Sequence, residues 1–380
     1  MTKIHLNKPG VEVIPLGEAH IEPILAMMNK EGWYYYDQHE LRRYLNLNQD
    51  CFILLKNGNV IGSLFSTNYG NQAWIGNIVV AEEERGKGLA TEMIQNVIAY
   101  LCEKKHVQDF RLGSVPLAID LYKKVGFRAE AFTTAQEANL PLKAEFDQVA
   151  LYKHLQVKRI TIQDLEAVAK VDKQYFKSNR LFFLTDLYHD SIKAGCLCLK
   201  ERDRIVGFLM TRRRLVSKKE GRFAHGPDYA YRLGPSCVLP EYGIHGFKAL
   251  FQKAILAVNE DVKQLSGSAK MYAVFPKNVD KTNIYRETRE LAEAMGLKGK
   301  MNLDRIFDEH DLIFGAPKSG KNEAQSRYMK NLGFHQEYFE QIMRYSPEES
   351  KNTSQNQKKT RDTKADPEGI FASATPGDKA

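Results

Sequence analysis

The spacing of hydrophobic residues over the first 155 positions predicts helices and strands that alternate along the chain. Apolar residues recur with the period of a helix at 21–28, and short apolar runs typical of strands lie at 11–16, 51–56, 60–65 and 74–80. Two of these runs are separated by Asn57-Gly58-Asn59, and because Asn and Gly tolerate a positive φ this turn predicts a hairpin. The pattern indicates an α/β (α+β) domain whose sheet begins antiparallel.

A polar turn at 81–88 follows the last of these strands and leads into a second predicted helix. The apolar residues of that helix fall on one face at 3.6-residue spacing: Leu89, Met93, Ile94, Val97 and Leu101. A further helix at about 116–124 ends at Gly126, which suits a left-handed C-cap. Residues 127–133 and 149–155 are predicted to be the closing strands.

The second half of the chain repeats this order of elements. The sequence from Tyr328 to Gly333-Phe334 echoes the one from Tyr122 to Gly126-Phe127. The repeat is a whole domain rather than a short solenoid unit. We therefore predict domains at 1–155 and 156–345, with an insertion near 278–316 in the second. Residues 346–380 are polar and aperiodic, which predicts a disordered tail.

The composition narrows the functional classes. The chain is 43% hydrophobic, which is enough for buried cores, yet no apolar run approaches the ~20 residues that cross a bilayer. The first residues lack the apolar core of a secretory signal, so we expect a cytoplasmic protein without a membrane partner. The five cysteines are too sparse for a disulfide framework, and Cys196 and Cys198 belong to a predicted buried strand. We therefore expect no metal site.

The formal net charge of +8 suits an anionic ligand. Charges in the predicted tail balance, so the excess lies in residues 1–345. Six cations surround one predicted hairpin: Arg212, Arg213, Arg214, Lys218, Lys219 and Arg222. Such a group can contact nucleic acid or an acidic substrate, but a solvated loop is the favoured interpretation.

The central chemical signal is the turn Arg85-Gly86-Lys87-Gly88-Leu89-Ala90. Its glycines leave backbone N–H groups exposed, and the start of the following helix adds partial positive charge, so the turn can hold a pyrophosphate. The pattern R-x-x-G-x-[GA] is weak alone, but Leu121-Tyr122 and Gly126-Phe127 follow it at a characteristic distance. In this order and spacing, the two elements resemble the GNAT superfamily of acetyl-CoA-dependent N-acetyltransferases over residues 1–155.

The resemblance implies a fold and a set of roles. The fold would be two GNAT-like domains, each a mixed, mostly antiparallel sheet flanked by helices, with the second copy degenerate. The backbone of Ile78, Val79 and Val80 would hydrogen-bond the pantetheine arm of acetyl-CoA. The pyrophosphate would be held by the turn formed by Arg85, Gly86, Lys87, Gly88, Leu89 and Ala90. Tyr122 would be the general acid that protonates the departing thiolate, with packing of its ring as the alternative.

Two positions depart from the family's pattern. Val115 stands where the family often has an asparagine that contacts the cofactor. Residues 70–80 contain no acid that could serve as the general base on this strand. Asp37, His39 and Glu40 are candidates for that role, as is a water relay.

The aromatic cluster Trp33, Tyr34, Tyr35 and Tyr36 lies in a region that the resemblance assigns to the acceptor side. Aromatic side chains with polar tips suit a pocket for an amine, although packing between helix and sheet explains them equally well. In the second copy, residues 240–246 lack the basic turn, and Met329 aligns with Tyr122. We therefore predict one acetyl-CoA per chain and a second domain that binds substrate or joins two chains as a homodimer.

Together these patterns predict an N-acetyltransferase. It would move an acetyl group from acetyl-CoA to a primary amine of a small molecule or peptide, by direct attack in a ternary complex. The alternative is a non-catalytic sensor or scaffold that binds acyl-CoA. The intact turn and Tyr122 favour the enzyme, whereas the missing strand acid favours the sensor.

Overall fold

The computed structural model describes residues 4–31, 33, 37–47, 49–114, 118–142, 154–215, 228–277 and 335–346. The predicted insertion near 278–316 lies outside these residues, and so does the predicted tail apart from Ser346. Tyr34, Tyr35, Tyr36 and Val115 also lie outside them.

The first half of the described chain contains seven strands and four helices. In chain order these are β1 (Ile4–His5), β2 (Val11–Pro15), α1 (Ile21–Lys30), α2 (Gln38–Asn46), β3 (Phe52–Lys56), β4 (Asn59–Asn68), β5 (Gln72–Val80), α3 (Leu89–Lys105), β6 (Asp109–Ser114), α4 (Ile119–Val125) and β7 (Arg128–Leu140). The second half follows with β8 (Leu155–Arg159), α5 (Leu165–Phe176), α6 (Leu181–His189), β9 (Leu197–Glu201), β10 (Arg204–Leu215), β11 (Tyr229–Val238), α7 (Gly243–Val262), β12 (Ala269–Lys277) and β13 (His335–Tyr345).

Several local predictions are confirmed. The predicted apolar face of α3 is buried along its length, from Leu89 to Leu101. Asn57 and Gly58 have φ of 51° and 81° in the turn between β3 and β4, as the hairpin requires. Gly126 caps α4 with φ of 110°. Local periodicity and turn chemistry therefore determine these elements.

The described strands form one sheet in which each half gives its last strand to the centre. Its order is β1-β2-β3-β4-β5-β6-β13-β7-β12-β11-β10-β9-β8. All pairs are antiparallel except β5 with β6 and β11 with β12. Each half thus contributes a mixed sheet flanked by helices, and the predicted fold class is confirmed.

The centre of the sheet is an exchange of strands between the halves. The strand β13 pairs with β6 of the first half, while β7 pairs with β12 of the second half. The two exchanged strands also pair with each other. Of the predicted closing strand at 149–155, Leu155 is described, and it begins β8 beside β9. The domain boundary near residue 155 stays a prediction, but the sheet of the first half includes a strand from beyond it.

The hydrophobic cores also cross between the halves. In the first half, one core lies between the sheet and α3 with α4, and another lies beneath α1 and α2. The core of the second half includes three buried side chains of the first, Tyr69, Trp74 and Ala138. The Tyr69 ring meets that of Phe176 edge-on, with 4.9 Å between centroids. Because fully burying such a side chain contributes roughly 1.5–3 kcal/mol, these contacts fasten the halves together.

Candidate active site

The strands β5 and β6 separate partway along their length. They pair in parallel from Gln72 with Asp109 to Trp74 with Arg111. Beyond that point β5 continues to Val80 and β6 to Ser114, and within the described residues no further pairing joins them. The unpaired edge of β5 carries backbone N–H and C=O groups that an extended ligand can hydrogen-bond as an added strand.

A β-bulge in β5 accompanies this separation. Ser63 of β4 faces Val79, whereas Phe65 faces Gly76, so β5 holds one extra residue between the two pairs. Asn77 sits at this bulge with φ of 51°, a conformation that Asn tolerates better than most residues. The Ser63 hydroxyl donates to the carbonyl oxygen of Asn77 at 2.9 Å. Bulges bend a strand and redirect its side chains, and sequence reasoning missed this one.

The glycine turn after β5 is open. Gly86 and Gly88 have φ of 75° and 79°, and a Cβ built on either would meet no described atom within 4 Å. Gly88 is the N-cap of α3, and no side-chain hydrogen bond caps this helix start in the described structure. The first N–H groups of a helix have no acceptor within it, so this helix start can bind an anion.

The two cations of the turn are engaged with acidic and carbonyl groups. The Nε of Arg85 donates to the carbonyl oxygen of Val80 at 2.9 Å, and its guanidinium pairs with Glu31 at the end of α1. The Nζ of Lys87 lies 2.9 Å from Oε2 of Glu84. The glycine backbone is therefore the open part of the turn, while its cations brace the turn against its neighbours.

The predicted general acid, Tyr122, is a buried residue of α4. Its ring meets Phe127 edge-on, with 6.0 Å between centroids and 67° between planes. Phe127 in turn packs against Tyr345 of β13 at 5.5 Å. A Cβ added at Gly126 would lie 3.0 Å from the Tyr345 ring, so the end of α4 sits directly on the exchanged strand.

The candidate bases have other partners. Asp37 caps α2, because its Oδ1 accepts from the backbone N–H of Glu40 at 2.7 Å. Burial alone would raise the pKa of the Glu40 carboxyl, but Arg214 and neighbouring arginines outweigh it and lower that pKa to about 2. Such a carboxylate is a poor general base at neutral pH. His39 is largely exposed, with its Nε2 3.5 Å from Asp190.

Of the aromatic cluster at residues 33–36, Trp33 is the one residue within the described chain. Its backbone N–H donates to the carbonyl oxygen of Met28 at 2.9 Å, and its side chain packs against the core beneath α1 and α2. This placement agrees with packing and leaves a role beside the acceptor as a prediction.

The equivalent connection in the second half is shorter, and the first turn of the helix after it is packed at Gly246, although a Cβ at Gly243 would meet no described atom within 4 Å. There α7 begins at Gly243, after a connection of residues 239–242 that is half as long as 81–88. A Cβ at Gly246 would lie 2.7 Å from Leu199 Cδ2 and 2.8 Å from Val238 Cγ1. The Tyr175 hydroxyl donates to the Val238 carbonyl oxygen at 3.0 Å. Side chains of this half thus occupy the region around the strand end.

The basic group at 212–214 is largely internal. Arg212 is buried, Arg214 pairs with Glu40 and Asp190, and Arg213 pairs with Asp261 at 2.8 Å. The solvated loop favoured from the sequence is therefore wrong for Arg212, which is buried, and for Arg214, whose guanidinium meets the carboxylates of Glu40 and Asp190. Lys218, Lys219 and Arg222 lie outside the described residues.

The described residues contain no group of three or more His, Cys, Asp or Glu side chains arranged to hold a metal ion. None of their helices is both long enough and apolar enough to cross a membrane.

The family comparison matches the part of the chain that contains these features. The model of the Acetyltransferase (GNAT) family matches residues 20–127, which include the separated strands, the glycine turn and Tyr122. Residues 20–127 of the chain belong to the GNAT acetyltransferase family. Membership implies the use of acetyl-CoA.

One curated GNAT relative is the uncharacterized N-acetyltransferase YitH of Bacillus subtilis (strain 168). It is 24% identical over 195 residues, which span 51% of this chain. The match covers 64% of that relative, slightly less than two thirds of its length.

Two solved structures are similar in fold to most of the chain. One is a tandem GNAT protein from the clavulanic acid biosynthesis pathway, with a TM-score of 0.55 and 11% identity, covering 88% of this chain and 98% of that one. Another is a GCN5-related N-acetyltransferase from Sphaerobacter thermophilus, with a TM-score of 0.54 and 12% identity, covering 89% of this chain and 96% of that one. At such low identity the likeness shows the fold alone.

Proposed function

We propose that the first half transfers the acetyl group of acetyl-CoA to a primary amine. The observation that carries this proposal is the open glycine turn at the start of α3, next to the unpaired edge of β5. An extended chain with an anionic end fits these neighbouring features: the strand edge offers hydrogen bonds and the helix start offers positive charge.

We assign the following roles within this proposal. When bound, acetyl-CoA supplies an activated thioester. The backbone of 78–80 binds its pantetheine arm, and the turn at 85–90 binds its pyrophosphate. A backbone N–H of β5 stabilises negative charge on the thioester oxygen while the amine attacks directly. Tyr122 donates a proton to the departing thiolate.

The proton of the attacking amine leaves through water in this proposal. Residues 70–80 contain no acid, and the neighbouring arginines keep the pKa of Glu40 too low for a general base. A chain of water molecules from the acceptor side then carries the proton to solvent.

The second half does not bind a second acetyl-CoA in this proposal. Its connection is short, and the side chains of Leu199, Val238 and Tyr175 fill the region around the strand end. We assign it to shaping the acceptor side, where a small-molecule or peptide amine binds. Holding two chains together is the competing role. The cytoplasmic location stays a prediction.

A non-catalytic sensor of acyl-CoA is the second candidate, because β5 lacks an acid. Calorimetry with acetyl-CoA tests both candidates, and we expect one equivalent bound per chain. No binding at high micromolar ligand contradicts both, and two equivalents contradict the one-site assignment. Release of free thiol with spermidine, lysine or a lysine-containing hexapeptide then separates the enzyme from the sensor, which releases none.

A further inference from the structure

A cluster of charged side chains joins α2 of the first half to the second half. We call Glu40, Arg43, Asp186, Asp190 and Arg214 the α2 clamp. The Nε of Arg43 donates to Oδ2 of Asp186 at 2.8 Å, and its Nη1 donates to both Asp190 and Glu40. Arg214 of β10 pairs with Glu40 and lies 2.8 Å from Oδ2 of Asp190. Two arginines thus connect three carboxylates across the halves.

The clamp is largely withdrawn from solvent. The side chains of Arg43, Glu40 and Arg214 are only 8%, 13% and 13% exposed. Removing such charges from water is costly, and their attraction offsets that cost only when the geometry is good. Buried ionic groups are therefore weak evidence for stability, and their best-attested use is to fix the placement of one element against another. Here the element so placed is α2.

The position of α2 links the clamp to the proposed active site. The helix α1 ends before Glu31, whose carboxylate pairs with Arg85 of the glycine turn. The helix α2 begins after its cap at Asp37, three residues before Glu40. The connection between α1 and α2 is therefore anchored at one end to the proposed cofactor turn and at the other to the second half.

We propose that Arg214 and Asp190 are positioning residues for the acceptor side of the active site, acting through α2. The second half then contributes to the choice of amine without touching acetyl-CoA. The inference rests on the proposed function for its chemical meaning, because the acceptor side is assigned there. A displacement of about 1 Å in such a site can cost about 100-fold in rate, so a clamp of this kind affects the reaction from a distance.

The test compares two neighbouring arginines of β10. Arg214→Gln removes the charge that reaches α2. Arg213→Gln is the matched control, because Arg213 pairs with Asp261 inside the second half. Arg214→Lys keeps the charge but not the paired donors of a guanidinium, so it should recover the function in part. Asp190→Asn removes a carboxylate from the same cluster and serves if Arg214→Gln does not fold.

Three measurements on the full chain separate positioning from general destabilisation. Amide hydrogen exchange over residues 37–47 should be about tenfold faster in Arg214→Gln, because local opening of α2 costs less free energy. The Kd for acetyl-CoA should stay within about twofold of wild type, since the glycine turn is untouched. The KM for the amine should rise about tenfold, with spermidine and a lysine-containing hexapeptide as the probes. Arg213→Gln should change none of these.

The opposite results overturn the inference. It is wrong if exchange in α2 is unchanged, if Arg213→Gln loosens α2 as much, or if the KM for the amine stays constant while α2 loosens. It is also wrong if acetyl-CoA binding weakens in parallel, because the clamp would then support the whole first half. Should the wild type acetylate none of the probes, the proposed transfer to such amines fails, while the exchange measurements still decide whether Arg214 holds α2.

Discussion

The units β5–α3 and β11–α7 share an equivalent backbone hydrogen bond just after the strand, but the connections from strand to helix differ in length. The Ala81 N–H donates to the Ile61 carbonyl oxygen at 2.8 Å, and the Leu239 N–H donates to that of Val206 at 2.9 Å. After this hydrogen bond, the first unit has an eight-residue connection with open glycines (81–88). The second unit has a four-residue connection (239–242) before its helix.

The resemblance extends to the bulge before this hydrogen bond. The register of β10 and β11 shifts between Leu209 and Thr211, as that of β4 and β5 shifts between Ser63 and Phe65. The bulged strand has a positive φ in both halves, at Asn77 (51°) and at Gly234 (137°).

The two units show that the sheet and the connection that follows the bulged strand vary independently. Strand pairing and bulge are maintained because they determine how the core packs, and both halves need a core. The glycine turn presents a few exposed backbone groups that do not pack in the core. A shorter connection therefore removes this turn without destabilising the sheet. Function in such a repeat resides in the connection rather than in the fold.

The largest effect is expected for Tyr122→Phe, the substitution that tests the chemistry of the first unit. Loss of the phenolic proton should lower turnover about 100- to 10,000-fold while the Kd for acetyl-CoA is maintained. Steady-state thiol release and calorimetry measure the two quantities. Tyr100→Phe on α3 is the control, since its hydroxyl lies 3.5 Å from Asp50 in a separate contact. Full activity of Tyr122→Phe would show that the proton comes from another group.

Gly88→Val should block the open glycine turn at the start of α3. A side chain there enters the open space beside the helix start, and losing two or more hydrogen bonds to an anion weakens acetyl-CoA binding at least about 100-fold. Gly58→Val is the matched control, because Gly58 has φ of 81° and equally open surroundings in a distant hairpin. Both variants bear similar backbone strain, so equal losses of affinity would trace the effect to stability rather than to the turn.

Gly246→Val tests the packed first turn of α7 in the second unit. Its side chain would collide with Leu199 and Val238, and overpacking of this kind costs about 1–3 kcal/mol of unfolding free energy. Urea denaturation should register this loss while the Kd for acetyl-CoA stays the same. Lys253→Val, on the exposed face of α7, is the control. A weaker Kd for acetyl-CoA without loss of stability would reveal a ligand site in the second half.

The smallest effect is expected for Lys87→Gln. Lys87 is half exposed and paired with Glu84, and such surface pairs contribute about 0–1 kcal/mol. Acetyl-CoA affinity by calorimetry should therefore fall less than about fivefold. A loss as large as that of Gly88→Val would mean that the cation rather than the glycine backbone distinguishes the two units.

Sequence reasoning was most successful where structure is local. The buried face of α3, the hairpin at Asn57 and the C-cap at Gly126 follow from periodicity and backbone preference, which neighbouring residues determine. The glycine turn could be recognised for the same reason. The bulge at Asn77 offered a weaker signal, an Asn inside an apolar strand.

The rest depends on partners that are distant in sequence. The sequence of residues 335–345 does not specify that they form a strand beside β6. The arginines at 212–214 indicate a positive charge, but the ion pair of Arg214 with Glu40 depends on how the two halves pack. The α2 clamp and the contact of Tyr345 with Gly126 were beyond reach because each joins segments from different halves.

The exchange of strands has a consequence for how the protein is made. A ribosome completes the glycine turn and Tyr122 long before it reaches Tyr345, so the newly made first half waits for a strand that does not yet exist. A premature stop codon anywhere in the second half removes that strand, and with it Met343, which is fully buried in the first core. Partial products of translation therefore expose the edge of β6, a template for aggregation that quality-control proteases can recognise.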